Sequence, residues 1–231
     1  HKNILEDEIE KLEVEDLQAV SGLKALRVKV KHNENALLID AEMYIEKLFN
    51  ERLDSKFSYH NFEHTKNVVS GIEILCKAQE INEETKTILL LAGWFHDAGY
   101  VDGCENHEKK SIEIALEFLK DKKISADIQE KVTELIMATT YNYTPKNLLE
   151  KIIKDADNVH LANENYPNTL EQLREEWEVS INKTYCNTDW FVLNIDFLKN
   201  HTYYTKFARE KWQNLKEINL KTIEEKLQNQ L

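Results

Sequence analysis

Apolar residues recur along most of the chain at three- and four-residue intervals, the period of an amphipathic α-helix. Ala36 to Leu53 carries a stripe of Leu37, Ile39, Met43, Ile45, Leu48 and Phe49. The polar stretch DSKFSYHN breaks that stripe and puts Tyr59 and His60 at the start of a second helix, predicted from Asn61 to about Ala78 with Val68, Val69, Ile72 and Leu75 inward. Thr85 to Ala98 is apolar nearly all round, the mark of a central buried helix, and it is expected to stop at Gly99. Further helices are predicted over His107 to Lys120, over Ser125 to Thr140 with Ser125 as N-cap, and over Asn147 to Asn163, with Pro145 separating the last two. Pro167 to Lys183, Thr188 to Lys199 and Tyr203 to Gln228 complete the set, the last through Phe207, Trp212, Leu215, Ile218, Ile223 and Leu227. Near the start, Ile4, Ile9, Leu12, Leu17 and Val20 suit a weak amphipathic helix.

No segment alternates like a strand, and five Gly and two Pro are too few for the many turns of a sandwich or barrel. The expected fold is all-α, with residues 36–231 as one helical domain and residues 1–35 as an appendage or the start of that domain. Thirty basic against forty-two acidic residues leave a net charge of −12, which repels duplex nucleic acid and obliges any small anionic substrate to find a local cation. Cys76, Cys104 and Cys186 are far apart and form no CxxC pair, so reduced thiols, read as small buried hydrophobes in a cytoplasmic protein, are expected. No apolar run is long enough to span a bilayer, and the opening HKNILEDEIEKLE is charged throughout, unlike a signal peptide.

Three short segments interrupt this apolar pattern with groups able to hold a metal or move a proton. In YHNFEH, His60 and His64 lie four apart, so a helix beginning by Asn61 carries both on one face. Alone, that pair fits a solvated face as well as it fits two ligands, or a ligand and an acid. His96 and Asp97 end TILLLAGWFHDAGY, where an apolar run has drawn them into the core. A buried carboxylate beside a buried imidazole is costly unless paired or metal-bound, so a metal and an Asp–His hydrogen bond both satisfy the dyad. In KDADNVHL, Asp155 and Asp157 stand about 200° apart around a helix, and only one can face a site. The i, i+4 row Leu149, Ile153, Asp157 and Leu161 is apolar except at Asp157, which is therefore expected inward; Asp155 is expected at the surface, paired with Lys151. Two imidazoles and two carboxylates from three helices suit one divalent Mn, Fe, Zn, Co or Ni ion better than Ca²⁺ or a thiolate-bound zinc.

The order H…HD…D, here His64, His96-Asp97 and Asp157, resembles the signature of the HD-domain metal-dependent phosphohydrolase superfamily over roughly Tyr59 to His160. LAGWFHDAGY, followed by HEKKS and the helix IEIALEFL, is similar to small bacterial predicted HD phosphohydrolases. YHNxxH is also similar to the opening motif of cyclic-nucleotide phosphodiesterases. The resemblance implies an HD-type helical bundle with added N- and C-terminal helices, a metal held by His64, His96, Asp97 and Asp157, and a proton donor at His60. HDAGYVDG departs from the phosphodiesterase continuation HDxDHxGxxN, and TTYNYTP lacks the histidine often found in that region of two-metal members, so one metal is the expected count and a second is disfavoured. His107 and Glu108 either face the site or simply open a helix.

The expected reaction is hydrolysis of a phosphomonoester or phosphodiester bond in a small, anionic, nucleotide-like molecule. The metal would acidify a water and neutralise a phosphoryl oxygen. Asp97 would both ligate the metal and take the water's proton, while His60 as imidazolium would protonate the leaving oxygen. Lys66, His107, Glu108 and Lys109 are the candidate substrate-binding residues. A metal-dependent HD-like oxygenase is opposed by the missing histidines, and a regulatory or ligand-binding module without turnover is opposed by the presence of His60. The long last helix either packs on its own domain or builds a homodimer.

Overall fold

The structure is a computed structural model and describes residues 35–230. The chain divides into two compact units, residues 1–40 and 41–231. The helix expected over Ile4 to Val20 and nearly all of the 1–35 appendage lie outside the described residues. Among the described residues every regular element is helical and no strand is present. The fold is all-α, as the apolar period predicts.

The α-helices are α1 (35–52), α2 (Phe62–Ala78), α3 (Glu83–Phe95), α4 (His107–Asp121), α5 (Ala126–Ala138), α6 (Leu148–Asp157), α7 (Tyr166–Ser180), α8 (Asn187–Asn200) and α9 (Gln213–Gln228). Asparagine side chains start three of them: Asn61 accepts from the N–H groups of Glu63 and His64, Asn82 from Thr85, and Asn147 from Leu149 and Glu150. Ser125 stands at the expected N-cap of α5, yet its side chain makes no capping bond.

Two of the helices that end earlier than predicted do so at the candidate chemistry. α3 stops at Phe95, and the chain turns through His96 and Asp97 into a 3-10 turn at Ala98–Asp102. α6 stops at Asp157 and passes into a second 3-10 turn at Val159–Ala162. In both places the break falls where an aspartate carries the candidate chemistry.

α2 is the central strut, packed on both α3 and α6. Val68, Ile72 and Leu75 on α2, Leu89 and Leu91 on α3, and Ile152 and Ile153 on α6 are fully buried, each such side chain worth about 1.5–3 kcal/mol. Gly71 permits the α2–α6 crossing, because a Cβ there would meet the Ala156 backbone at 3.3 Å. That close approach brings the start of α2 next to the end of α6.

The C-terminal helices form a second cluster of Leu161, Tyr166, Leu170, Trp190, Phe191, Ile195, Leu198 and Ile223. Polar clamps join this cluster to α6 and the turn after it. Asp155 accepts from the N–H groups of Tyr204 at 2.8 Å and Thr205 at 2.7 Å. Asn219 donates to the carbonyls of Leu161 and Asn163, both at 2.8 Å. The surface pair expected between Lys151 and Asp155 is therefore corrected: Asp155 is buried and binds main chain.

The stripe expected in the last helix is also corrected. Trp212, Lys216, Asn219 and Ile223 face inward, while Leu215 and Ile218 are exposed. Lys216 and Asn219 are inward because their side chains satisfy the carbonyls of His201 and of Leu161 and Asn163. Of the three cysteines, Cys76 is buried as expected, whereas Cys104 is half-buried and Cys186 is exposed at the start of α8. No helix among the described residues is long and apolar enough to cross a membrane.

Candidate metal centre

Four side chains from three helices converge beside the α2–α6 crossing. His64 lies in the first turn of α2, His96 and Asp97 directly follow α3, and Asp157 is the last residue of α6. The Nε2 atoms of His64 and His96 are 3.3 Å apart. Asp157 Oδ1 is 3.5 Å from each of them. One ligand atom from each of His64, His96 and Asp157 falls within 4.8 Å of the others, close enough for the group to hold a metal ion. Asp97 Oδ2 lies 3.4 Å from His64 Nε2 and 3.1 Å from His96 Nε2.

Two details fit this set to a cation. His96 Nδ1 sits 2.8 Å from the carbonyl of Gly93, and donating there leaves a lone pair on the Nε2 that faces the cluster. Asp97 Oδ2 is buried and accepts no hydrogen bond. An orphaned carboxylate oxygen and two converging imidazole nitrogens form a donor set that a divalent metal completes.

The electrostatics agree. Burial opposes charge on His64 and His96, yet the neighbouring carboxylates of Asp157 and Asp97 raise both above the ordinary imidazole range. Burial likewise opposes charge on the two carboxylates, but the imidazoles hold Asp97 and Asp157 well below the ordinary carboxylate range. His160, after α6, is pushed down to about 3 by burial and by the charge of His64, so it is neutral at physiological pH.

His60 lies at the rim, with its Nδ1 held by a short hydrogen bond to Glu176 Oε1. Glu176 Oε2 accepts from the N–H groups of Tyr59 and His60, both at 3.0 Å. Although burial works against its charge, these bonds keep the Glu176 carboxyl below its usual range. Tyr100 stacks on the His60 ring at 4.3 Å and 10°. The imidazole is thus fixed in both position and plane.

His107 reaches the same cluster: its Nε2 is 3.5 Å from Asp97 Oδ1 and 3.6 Å from Glu108 Oε1. Gly99 makes this possible, since a Cβ there would strike the His107 carbonyl at 2.1 Å, and its N–H instead donates to Ser111 Oγ at 2.8 Å. Asp157, His60, His107 and Glu108 keep 23%, 19%, 19% and 16% of their side chains exposed, so the cluster opens to solvent on their side. A cavity of about 550 Å³ lined by Lys56, Phe57, Cys104, Lys110, Val179 and Ile181 holds none of these groups. Phe57 in its wall meets the buried Tyr100 edge-on at 5.2 Å.

The structure brings together His60, His64, His96, Asp97, His107, Glu108 and Asp157. Lys66 stands apart, paired with Glu63 on the surface and lying over the Phe62 ring. Lys109 is exposed on the first turn of α4. Sequence reasoning missed Glu176, the Tyr59 and Tyr100 packing roles, and His160. A glutamate inside the stripe Leu170, Leu173 and Trp177 is a signal for the first, but it is masked by the charged run REEWE.

Fold and cluster together define an all-α domain in which His64, His96 and Asp157 could hold a metal ion, with Asp97 beside them. A family model, HD domain, matches residues 61–162. Over that stretch the chain is similar to the HD-domain superfamily, as the order H…HD…D leads one to expect. His64, His96, Asp97 and Asp157 all fall inside the match, whereas His60 and Glu176 fall outside it. No curated protein and no solved structure gives a significant match.

Proposed function

We propose that the protein is a metal-dependent phosphohydrolase that cleaves a phosphomonoester or phosphodiester bond in a small nucleotide-like molecule. The observation that carries this reading is the pairing of an orphaned metal donor set with an oriented acid, His60 on Glu176, at its solvent-facing rim. A purely structural metal site has no use for an acid held in this way.

His64, His96, Asp97 and Asp157 would hold the ion, which when bound supplies water activation and charge neutralisation at the phosphoryl group. The remaining work falls to the chain's own side chains. His60 has its Nδ1 committed to Glu176, so Nε2 is the nitrogen that delivers a proton to the leaving oxygen. Glu176 stabilises the imidazolium before that transfer and fixes its tautomer after it. Asp97 has its Oδ2 toward His64 and His96 and its Oδ1 toward His107, so Oδ1 is the atom that takes the proton of the attacking water. The aromatic packing around His60 keeps bulk water from its ring face. Lys109, at the exposed start of α4, serves as a phosphate partner, while Lys66 is engaged by Glu63.

The net charge of −12 favours a small anion that meets its countercharge inside the site over a nucleic acid duplex. Free thiols at Cys104 and Cys186 suit a reducing, cytoplasmic setting. The test is to strip the protein with a chelator, restore Mn, Fe, Zn, Co or Ni singly, and assay p-nitrophenyl phosphate, bis(p-nitrophenyl) phosphate and nucleotides. Turnover that vanishes on stripping and returns with metal is expected. Undiminished turnover by the stripped protein contradicts the reading.

A further inference from the structure

The cavity of about 550 Å³ is tied to the site from three directions, although it contains none of the cluster residues. Phe57 in its wall packs edge-on against Tyr100, and Tyr100 in turn stacks on His60 at 4.3 Å and lies 4.4 Å from the His107 ring. Cys104 lines it, and the Cys104 carbonyl is 3.1 Å from His107 Nδ1. Val179 and Ser180 line it from α7, three and four residues past the Glu176 that holds His60, or one helical turn of about 5 Å. One aromatic ring and one helical turn therefore separate the cavity from the proposed acid. The cluster meets solvent on the side of His60 and His107, so a substrate that arrives there has the cavity beside it.

Size and lining decide what the cavity takes. Cavities of about 300–1,000 Å³ accept organic molecules of drug size, whereas a single water occupies only about 30 Å³. The lining charges cancel, Lys56 and Lys110 standing against Asp102 and Glu105. Three of the four are also engaged locally: Lys56 with Asp54 at 3.4 Å, Asp102 with Arg52 at 2.8 Å, and Lys110 with the Asp102 carbonyl at 2.8 Å. Such a lining gives a second phosphate no net attraction. Its apolar part is Phe57, Val179 and Ile181, and the last two leave 64% and 42% of their surface open for a flat ring to cover. Ser180 and Asn182 supply a hydroxyl and an amide for a polar edge. An apolar face with a hydrogen-bonding edge is the recognition chemistry of a nucleobase.

We propose that this cavity seats the leaving group of the substrate and that the leaving group is a nucleoside, its base packed against Phe57, Val179 and Ile181. The inference rests on the phosphohydrolase reading and deepens it. The bond that breaks joins phosphorus at the cluster to the nucleoside oxygen, which keeps the electron pair and takes a proton from His60. Over the whole cycle the hydroxide of water goes to phosphorus and its proton to the nucleoside. Phe57, Val179 and Ile181 all lie outside the stretch 61–162, so the choice of substrate is set apart from the residues that hold the metal.

Adenosine, guanosine, cytidine and uridine, titrated by calorimetry into the protein with and without zinc, are the probes. At least one should bind, and equally well in both forms, because the cavity shares no residue with the cluster. Val179→Trp puts an indole into the cavity from a largely exposed position, so thermal midpoint and metal per chain should match the wild type. Affinity for the bound nucleoside should fall by about tenfold or more, and KM for its monophosphate should rise by a similar factor, while affinity for inorganic phosphate stays unchanged. Binding of none of the four, binding that requires zinc, or wild-type affinity in Val179→Trp overturns the inference, and ester hydrolysis then keeps the phosphohydrolase reading standing. A wild-type protein that hydrolyses no phosphate ester with any of the metals defeats that reading and the leaving-group role with it. A second measurement needs no variant: the bound nucleoside should shift the carbon-13 methyl resonances of Val179 and Ile181, and resonances unmoved at saturation overturn the inference.

Discussion

The four-residue cluster within residues 61–162 and the buried polar side chains of residues 163–230 are used in opposite ways. In the first stretch His64, His96, Asp97 and Asp157 are turned toward one another around a shared point, and Asp97 Oδ2 is left without a hydrogen-bond donor. In the second, Glu176, Lys216 and Asn219 are each spent on holding other parts of the chain in place. Asp155 and Asp157 show the contrast within two residues: Asp155 faces the C-terminal segment and accepts two backbone N–H groups, while Asp157 faces the cluster. The cluster is arranged to bind, whereas Asp155 and the buried polar groups of the second stretch position the chain. The acid at His60 depends on both, since it directly precedes the N-cap of α2 yet is oriented from α7.

The comparison predicts a graded set of losses. Substituting a cluster residue, by His64→Ala, His96→Ala or Asp157→Asn, should empty the metal site and abolish turnover, as read by elemental analysis and ester hydrolysis. His60→Ala should keep its metal and lose roughly two to four orders of magnitude in kcat, the range for a missing general acid. If His60→Ala also empties the site, His60 belongs with the binding residues and the division fails. Asp155→Asn should leave metal stoichiometry unchanged and lower stability by roughly 1–3 kcal/mol in denaturant unfolding, because its amide repels one of the two N–H donors. A stability equal to wild type would remove Asp155 from the clamp.

The smallest effect concerns pH. His64 and His96 titrate above the ordinary imidazole range in the metal-free protein. Their protons therefore stabilise the metal-free fold fully below about pH 6.5, and that contribution is lost as pH rises through their folded values. The carboxylates run the other way: Asp97 and Asp157 contribute above about pH 4 and lose that contribution as pH falls through their depressed values. A metal competes with the imidazole protons, so apparent affinity should climb with pH by about tenfold per unit for each proton released. Chelator competition across a pH series checks this, and a flat profile would show that the imidazoles are not the ligands.

Legibility follows the same division. The cluster residues were visible in the sequence because each interrupts or ends an apolar stripe, where a polar group must have a reason. Asp157 was readable for the same cause, and the structure adds why the Ala156 before it is small: Gly71 of α2 crosses there. Glu176 was not readable, because its partner lies 116 residues away and its neighbours are charged. Asp155 was misread as solvated because its partners are backbone N–H groups, which carry no side-chain signature. Leu215 and Ile218 were misplaced inward because Lys216 and Asn219 claim that face for main-chain carbonyls, a demand that hydrophobic period alone does not register.

The most direct test is bound metal per chain and kcat measured side by side for Asp157→Asn and Glu176→Gln. Asp157→Asn should lose both metal and turnover. Glu176→Gln should retain one metal per chain while kcat falls by roughly tenfold to a hundredfold, through loss of a charge-assisted hydrogen bond to the acid. If Glu176→Gln loses its metal as Asp157→Asn does, or keeps full turnover, the separation of a binding cluster from positioning groups is contradicted.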